Sequence, residues 1–344
     1  MRGMRIAIIS TPRCGNTWLM HMLDTLYQAF PVWAHNPTEV SWGSLPASCV
    51  LQMHWHPERA FVDRLEQEGF RVVVLSRHPL DVLISILHFA LHDPTARWLE
   101  AEEGDERPIH GAMPRSTAFR DYALGRRARA LLAVSHEWWS LPTSLRLRYE
   151  DLVAEPVAEL KKLVENLGGV TACSLEHAIA ANTIPQLRRQ WQNPHHYWQG
   201  KADLWKRLLT VEEATPIHAA HSALFQCFSY QCEPDSGLGG AEADANWINL
   251  VWSELAESLH SLRETRRRLA ELEVEPGKLR ADLELARGEL ARLHEAHDVL
   301  RWQHHEVLAD VSPRVLSVAR QFSRLSRRHP QAAAFVKKFM RIAG

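Results

Sequence analysis

Residues 71–85 read RVVVLSRHPLDVLIS, and the fold turns on the change of period inside this stretch. Its first six residues are a β-branched run bounded by Gly69 and Pro79, the pattern of a strand buried on both faces. From Pro79 to about His92 the apolar residues continue as a helix, with proline in the first turn, where its missing N–H costs nothing. The same unit recurs upstream: residues 6–10 (IAIIS) run through Thr11-Pro12 into a helix from Thr17 to about Phe30. Residues 49–53 (CVLQM) form another strand and precede an amphipathic helix over 57–68. Downstream, 117–139 is helical, 145–149 (LRLRY) alternates as a fourth strand, and 155–167 returns to helix. The stretches 31–48 and 94–116 read as loops. Strands alternating with helices predict an α/β fold, a parallel sheet with helices on both faces. Its site should lie in the loops beyond the C-terminal strand ends.

The chain has 344 residues, 46% hydrophobic and 24% charged, with a formal net charge of −1, the balance of a globular protein with no general attraction for nucleic acid. Its five cysteines (Cys14, Cys49, Cys173, Cys227 and Cys232) include no C-x-x-C pair, and an odd, scattered set suits a reducing compartment rather than a disulfide framework. No run approaches the roughly 20 apolar residues of a membrane span, and the apolar run at 6–9 is too short for a signal peptide. A cytoplasmic location is expected, peripheral at a membrane if the tail described below binds one. His54 with His56, and His88 with His92, offer pairs of imidazoles, but the sequence shows no third ligand and no metal is expected.

The loop Thr11-Pro12-Arg13-Cys14-Gly15-Asn16-Thr17-Trp18 leads from a strand into a helix. Such a loop presents free backbone N–H groups and the positive end of the helix dipole to an anion. Gly15 permits close backbone approach, Arg13 adds a permanent charge, and Thr17 a hydroxyl; the alternative is an ordinary tight turn. The loop lacks the Walker pattern G-x-x-x-x-G-K-[ST]. Cys14 has no arginine six residues on, where Met20 stands, so it is not a phosphatase nucleophile; a reactive thiol at a helix N-terminus stays open. Arg77 at a strand end and Ser85 two turns into the next helix can clasp a second phosphate.

Taken with Tyr149-Glu150-Asp151-Leu152, these stretches make the chain similar to the sulfotransferase family that uses 3′-phosphoadenosine 5′-phosphosulfate. That family has a P-K-S-G-T-T-W loop, an R-x-P-x-D-x-x-x-S motif, and Y-E-D-L on a later strand. The resemblance runs from about residue 5 to about 230 and implies a P-loop-like nucleotide-binding sulfotransferase fold, a donor co-substrate and no metal. It implies that Arg13, Cys14, Gly15, Asn16 and Thr17 wrap the 5′-phosphosulfate. Trp18 should stack on adenine, Tyr149 touch the base, and Arg77 and Ser85 hold the 3′-phosphate. The family's R-K-G-x-x-G-x-W-K segment corresponds to Trp198-Gln199-Gly200-Lys201-Ala202-Asp203-Leu204-Trp205-Lys206. Gly200 is kept for the cofactor, but Trp198 and Gln199 replace the basic pair, and Lys201 is a candidate for the missing charge.

Sulfuryl transfer is an in-line displacement in which charge develops on the bridging oxygen of the leaving group. Arg13 stands where the family's usual lysine does and is assigned to stabilise that charge electrostatically. The resemblance aligns His54, at the end of the strand 49–53, with the family's catalytic histidine, and an imidazole suits the base. His56 is the rival. The acceptor is expected to carry a hydroxyl, on a small molecule, a glycan or a glycolipid. Trp33, Trp42 and Trp55 can make an aromatic platform for it or simply pack.

The expected organisation is a sulfotransferase domain at 1–234, a small-residue and acidic linker at 235–246, a coiled coil at 247–310 and a basic amphipathic tail at 311–344. Leu255, Leu262, Leu269, Leu283 and Leu290 fall on a seven-residue repeat whose place at 276 is taken by Pro276, and Leu272, Leu279, Ala286, Leu293, Leu300 and Val307 fall on the same repeat offset by three. This seam predicts a homo-oligomer, most simply a dimer; the alternative is a hairpin folded at Pro276-Gly277, which interrupts it. Removal of 247–344 should leave a folded, donor-binding domain. The tail, with basic residues and no carboxylate, fits an anionic membrane surface or acidic partner. Two competing functions are a nucleotide kinase-like enzyme acting on a nucleoside triphosphate, which the absent Walker lysine opposes, and an inactive sulfotransferase-like scaffold working through its coiled coil.

Overall fold

The structure, a computed structural model, describes residues 3–96, 98–99, 104–190, 196–272 and 280–310. Pro276-Gly277 and the tail at 311–344 lie outside the described residues. Five parallel strands form one sheet: β1 (Arg5–Ile9), β2 (Phe30–Trp33), β3 (Cys49–Met53), β4 (Arg71–Ser76) and β5 (Leu145–Arg148), in the order β2-β3-β1-β4-β5. The core lies on both faces of the sheet. Along β1, Ile6 and Ile8 pack into one apolar cluster, while Ala7 and Ile9 pack into another with Phe61, Leu65 and Trp138.

The strand β2 was not expected. The segment is short, contains Pro31, and exposes Phe30 and Trp33, so no alternation marks it. Proline is tolerated there because β2 is an edge strand. The helix before it, α1 (Asn16–Tyr27), stops earlier than expected because Gln28 takes a left-handed conformation as its cap. The helices α2 (Arg59–Gln67) and α3 (Pro79–Ala90) follow β3 and β4 as predicted. Every residue of α3 is buried, so its polar members Asp81, Ser85 and His88 must find partners inside the protein. The single helix expected at 117–139 is two, α4 (Thr117–Leu124) and α5 (Arg126–Trp139), separated by extended backbone at Gly125.

Beyond β5 the chain forms α6 (Tyr149–Ala154), α7 (Pro156–Leu167), α8 (Leu175–Ala181), α9 (Ile184–Gln190), α10 (Val211–Ala220) and α11 (Ser222–Phe228). The segment expected as a linker is helical from its middle onward, because α12 (Gly240–Leu272) starts there. The first compact unit extends to His260, well past the expected boundary. Trp247 is 2% exposed, Asp244 pairs with Arg115 at 3.0 Å, and the Asn246 amide donates to the Arg207 carbonyl at 3.0 Å. The acidic and small residues at 241–246 are thus an N-terminal helix face rather than a spacer.

The second unit begins at Ser261 and contains the rest of α12 and α13 (Arg280–Asp310). Within it Leu262 and Leu300 are buried, and the Arg266 guanidinium donates to the His294 ring. Two leucines of the seam are thus buried and one contact between α12 and α13 forms within this single chain.

Candidate active site

The strand ends of β1, β3 and β4 open onto one cavity, with about 740 Å³ of open space including its mouth. Just beyond β1, the buried residues Ser10 and Thr11 anchor the loop. Thr11 donates its backbone N–H to Ser135 Oγ at 2.7 Å and its hydroxyl to the Leu131 carbonyl at 2.8 Å, both on α5. Asn16 closes the loop by donating to the Thr11 carbonyl at 2.9 Å. Arg13 (φ 68°) and Gly15 (φ 94°) turn the chain into α1, whose N-terminus carries no side-chain cap. A Cβ on Gly15 would stand 2.7 Å from the Tyr149 ring, so glycine is needed for conformation and for space. The Cys14 side chain packs in the core, and burial pushes its thiol up to about 12. Burial thus disfavours a reactive thiolate, and Cys14, unlike Arg13 and Gly15 beside it, does not line the cavity.

Two arginines converge on this loop. Arg77, at the end of β4, is 8% exposed, donates to the carbonyls of Arg13 (2.9 Å) and Lys201 (3.1 Å), and lies 4.4 Å over the Tyr149 ring. Its Nε has no hydrogen-bond partner among the described residues. Arg13 donates from Nε to Ser85 Oγ at 3.1 Å and from a terminal nitrogen to the His196 carbonyl at 2.9 Å, with Phe89 4.9 Å below. Burial, and then the charge of Arg77, lowers the Arg13 pKa to about 10. Two like charges, buried Arg77 with its unpartnered Nε and half-buried Arg13, describe a cavity suited to a polyanion.

The two expected subsites therefore touch. Arg13, assigned to one phosphate, reaches Ser85, assigned to the other. Trp18 meets Tyr149 edge-on at 6.3 Å and donates its indole N–H to the Asn182 carbonyl at 3.0 Å. Both rings line the cavity, with Arg13, Gly15, Asn16, Thr17, Arg77, Ser85 and Gly200. Lys201 is exposed and contributes its carbonyl to Arg77, not its ammonium to the cavity. Asp81 accepts from the backbone N–H groups of Asp203 (2.8 Å) and Trp205 (2.9 Å), so it positions the segment around Gly200 as well as facing Arg77.

The rival histidines separate. His54 lines the cavity, and its Nδ1 donates to the Ser10 carbonyl at 2.7 Å, which leaves Nε2 with the lone pair. Burial lowers its pKa to about 4, so the ring is neutral at physiological pH. His56 pairs with Glu137 at 2.8 Å, partly exposed, and does not line the cavity. Trp33, Trp42 and Trp55 make no platform there: Trp42 packs on Phe61 and Phe70, and none of the three lines the cavity. The aromatic walls near His54 are Phe89 and Trp98, the latter edge-on to His54 at 6.5 Å.

Sequence reasoning missed Gln52, Phe89, Trp98, Ile184, His196 and Tyr197. His196 lies within hydrogen-bond distance of Thr17 Oγ1 (2.9 Å), and Thr17 donates to Gln52 Oε1 at 3.1 Å. Burial, and then Arg13, lowers the His196 pKa to about 3. The dense run His195-His196-Tyr197-Trp198 was the available signal.

A parallel sheet with an arginine-lined cavity at its strand ends defines an α/β protein equipped for an anionic ligand. The chain belongs to the sulfotransferase family: residues 4–222 match the sulfotransferase domain. Among curated relatives, human sulfotransferase 6B1 is 22% identical over 60% of this chain and 71% of its own length. Rat sulfotransferase 1A1 is 24% identical over 66% of this chain and 87% of its own. Among solved structures, mouse sulfotransferase SULT7A1 complexed with PAP aligns with a TM-score of 0.51 at 14% identity, covering 66% of this chain and 85% of that one. The likeness to that structure is one of fold.

Proposed function

We propose that this sulfotransferase moves a sulfuryl group from 3′-phosphoadenosine 5′-phosphosulfate to a hydroxyl of a small-molecule or glycan acceptor, with His54 as the base. The observation that carries the reading is one cavity holding a neutral imidazole with its Nε2 lone pair and two arginines, Arg77 buried and Arg13 half-buried. The mouse structure bound to PAP supports a donor of this class. Arg77, with an unpartnered Nε, and the uncapped start of α1 fit the phosphates of such a donor. The bound donor supplies the sulfuryl group and a bisphosphate leaving group.

The protein's own residues do the rest. His54 accepts the acceptor's hydroxyl proton at Nε2, while the Ser10 carbonyl holds the ring in that tautomer. Arg13, which keeps its charge at neutral pH, opposes the negative charge that develops as the bond to sulfur breaks. Phe89 and Trp98 offer flat apolar faces to an acceptor beside the base.

The test is transfer of labelled sulfate from the donor to a panel of phenols, alcohols and glycans. Product that depends on His54 supports the reading. Tight binding of the bisphosphate with no transfer to any acceptor would identify a scaffold instead. Stabilisation by magnesium-ATP but not by the bisphosphate would identify a nucleoside-triphosphate enzyme.

A further inference from the structure

His88 sits in the last turn of α3, and His92 follows in the turn just beyond the helix end. The third group that the sequence did not supply comes from α12: Glu254 lies 2.7 Å from His88 Nε2. One ligand atom each from His88, His92 and Glu254 fall within 4.8 Å of one another. Glu254 belongs to the same compact unit as the two histidines.

We propose that His88, His92 and Glu254 bind one divalent transition-metal ion of the zinc type, which ties α12 to α3 behind the active site. Two imidazoles and a carboxylate are a recognised donor set for such an ion. Donors roughly 2.0–2.2 Å from a tetrahedral ion stand roughly 3.3–3.6 Å apart, so the set needs shifts of only about 1 Å to close around it. His88 is fully buried, and its Nδ1 has no hydrogen-bond partner among the described residues. The contact with Glu254 therefore satisfies only half of a buried ring.

The surroundings suit a structural role. Trp198 lies flat on His88, with centroids 4.1 Å apart and 8° between planes, and Trp247 of α12 meets Trp198 edge-on at 6.1 Å. Trp198 precedes Gln199 and Gly200 in the cavity wall. An ion at this point fixes His88, His88 fixes Trp198, and the indole holds the wall segment in which the family's basic pair is missing. The ion stands outside the proposed transfer chemistry.

The experiment uses the full chain, stripped of metal and titrated with zinc by calorimetry and with cobalt by visible absorption. One equivalent of zinc should bind and raise the melting temperature by several degrees. The cobalt form should show the ligand-field bands of a four- or five-coordinate nitrogen–oxygen site. His92→Ala and Glu254→Gln should each weaken zinc at least about tenfold. No stoichiometric binding overturns the proposal, as does binding that both variants leave undiminished, since the other histidines of the chain would then be the ligands. Should a variant fail to fold, the cobalt spectrum of the unaltered chain decides: bands of a hexaaquo ion alone would sink it.

Discussion

His54 Nδ1 donates to the Ser10 carbonyl oxygen at 2.7 Å, and that bond leaves Nε2 as the ring's basic nitrogen. His54→Ala should therefore lower kcat by about 10²–10⁴-fold while leaving donor affinity nearly unchanged. His56→Ala, which loses only a partly exposed contact with Glu137, should stay within about twofold of the unaltered enzyme. Steady-state kinetics with donor calorimetry check both, and an active His54→Ala would remove the assignment.

With its pKa lowered to about 4 by burial, His54 keeps its lone pair at any pH above that value. The acid limb of kcat/KM should accordingly fall near pH 4, not near the ordinary histidine value of about 6.5. An inflection at the ordinary value would mean that the ring is solvated in the working enzyme.

Arg77 and Ser85 are expected at the 3′-phosphate, and a hydrogen bond to a charged group contributes about 1.5–3 kcal/mol. Arg77→Ala should weaken the 3′,5′-bisphosphate about 10- to 150-fold and adenosine 5′-phosphosulfate much less. Arg77 also braces the carbonyls of Arg13 and Lys201, so equal losses for the two nucleotides would show that bracing is its whole role.

Acid should destabilise the fold early. His54 and His196 have folded pKa values of about 4 and about 3, against about 6.5 unfolded, so the unfolded chain takes up protons first. The stability present above about pH 6.5 is lost as pH falls toward the folded values, and buried His78 and His221, also lowered by burial, add to the loss. Melting temperatures should drop steadily below neutrality, and less steeply in His196→Asn. A flat profile down to about pH 5 would contradict this.

A chain ending at residue 246 should fold poorly, because it lacks Trp247, which is 2% exposed. Trp247→Ala in the full chain should cost about 3–5 kcal/mol. A chain ending at residue 260 keeps the whole first unit and should bind the bisphosphate normally. Denaturant melts of the two truncations separate the cases, and equal stability would return the boundary to the expected linker.

The sequence by itself determined β1, β3, β4 and β5, the loop that leads into α1, and the family. Each is written locally: a β-branched run before Arg77, a loop opening on Gly15, and helices whose periods are unambiguous. It did not mark β2, whose four residues pair with β3 for reasons that only the edge of the sheet supplies. Nor could it choose between His54 and His56: both follow β3, and only the tertiary fold turns one into the cavity and the other to Glu137. The heptad seam was legible, but a row of leucines records that a face is to be buried without recording what buries it. Glu254 was beyond reach for the same reason, since 166 residues separate it from His88 and only packing brings them together. Local propensity and periodicity are properties of neighbours in the chain, whereas a cavity wall or a ligand set is a property of neighbours in space.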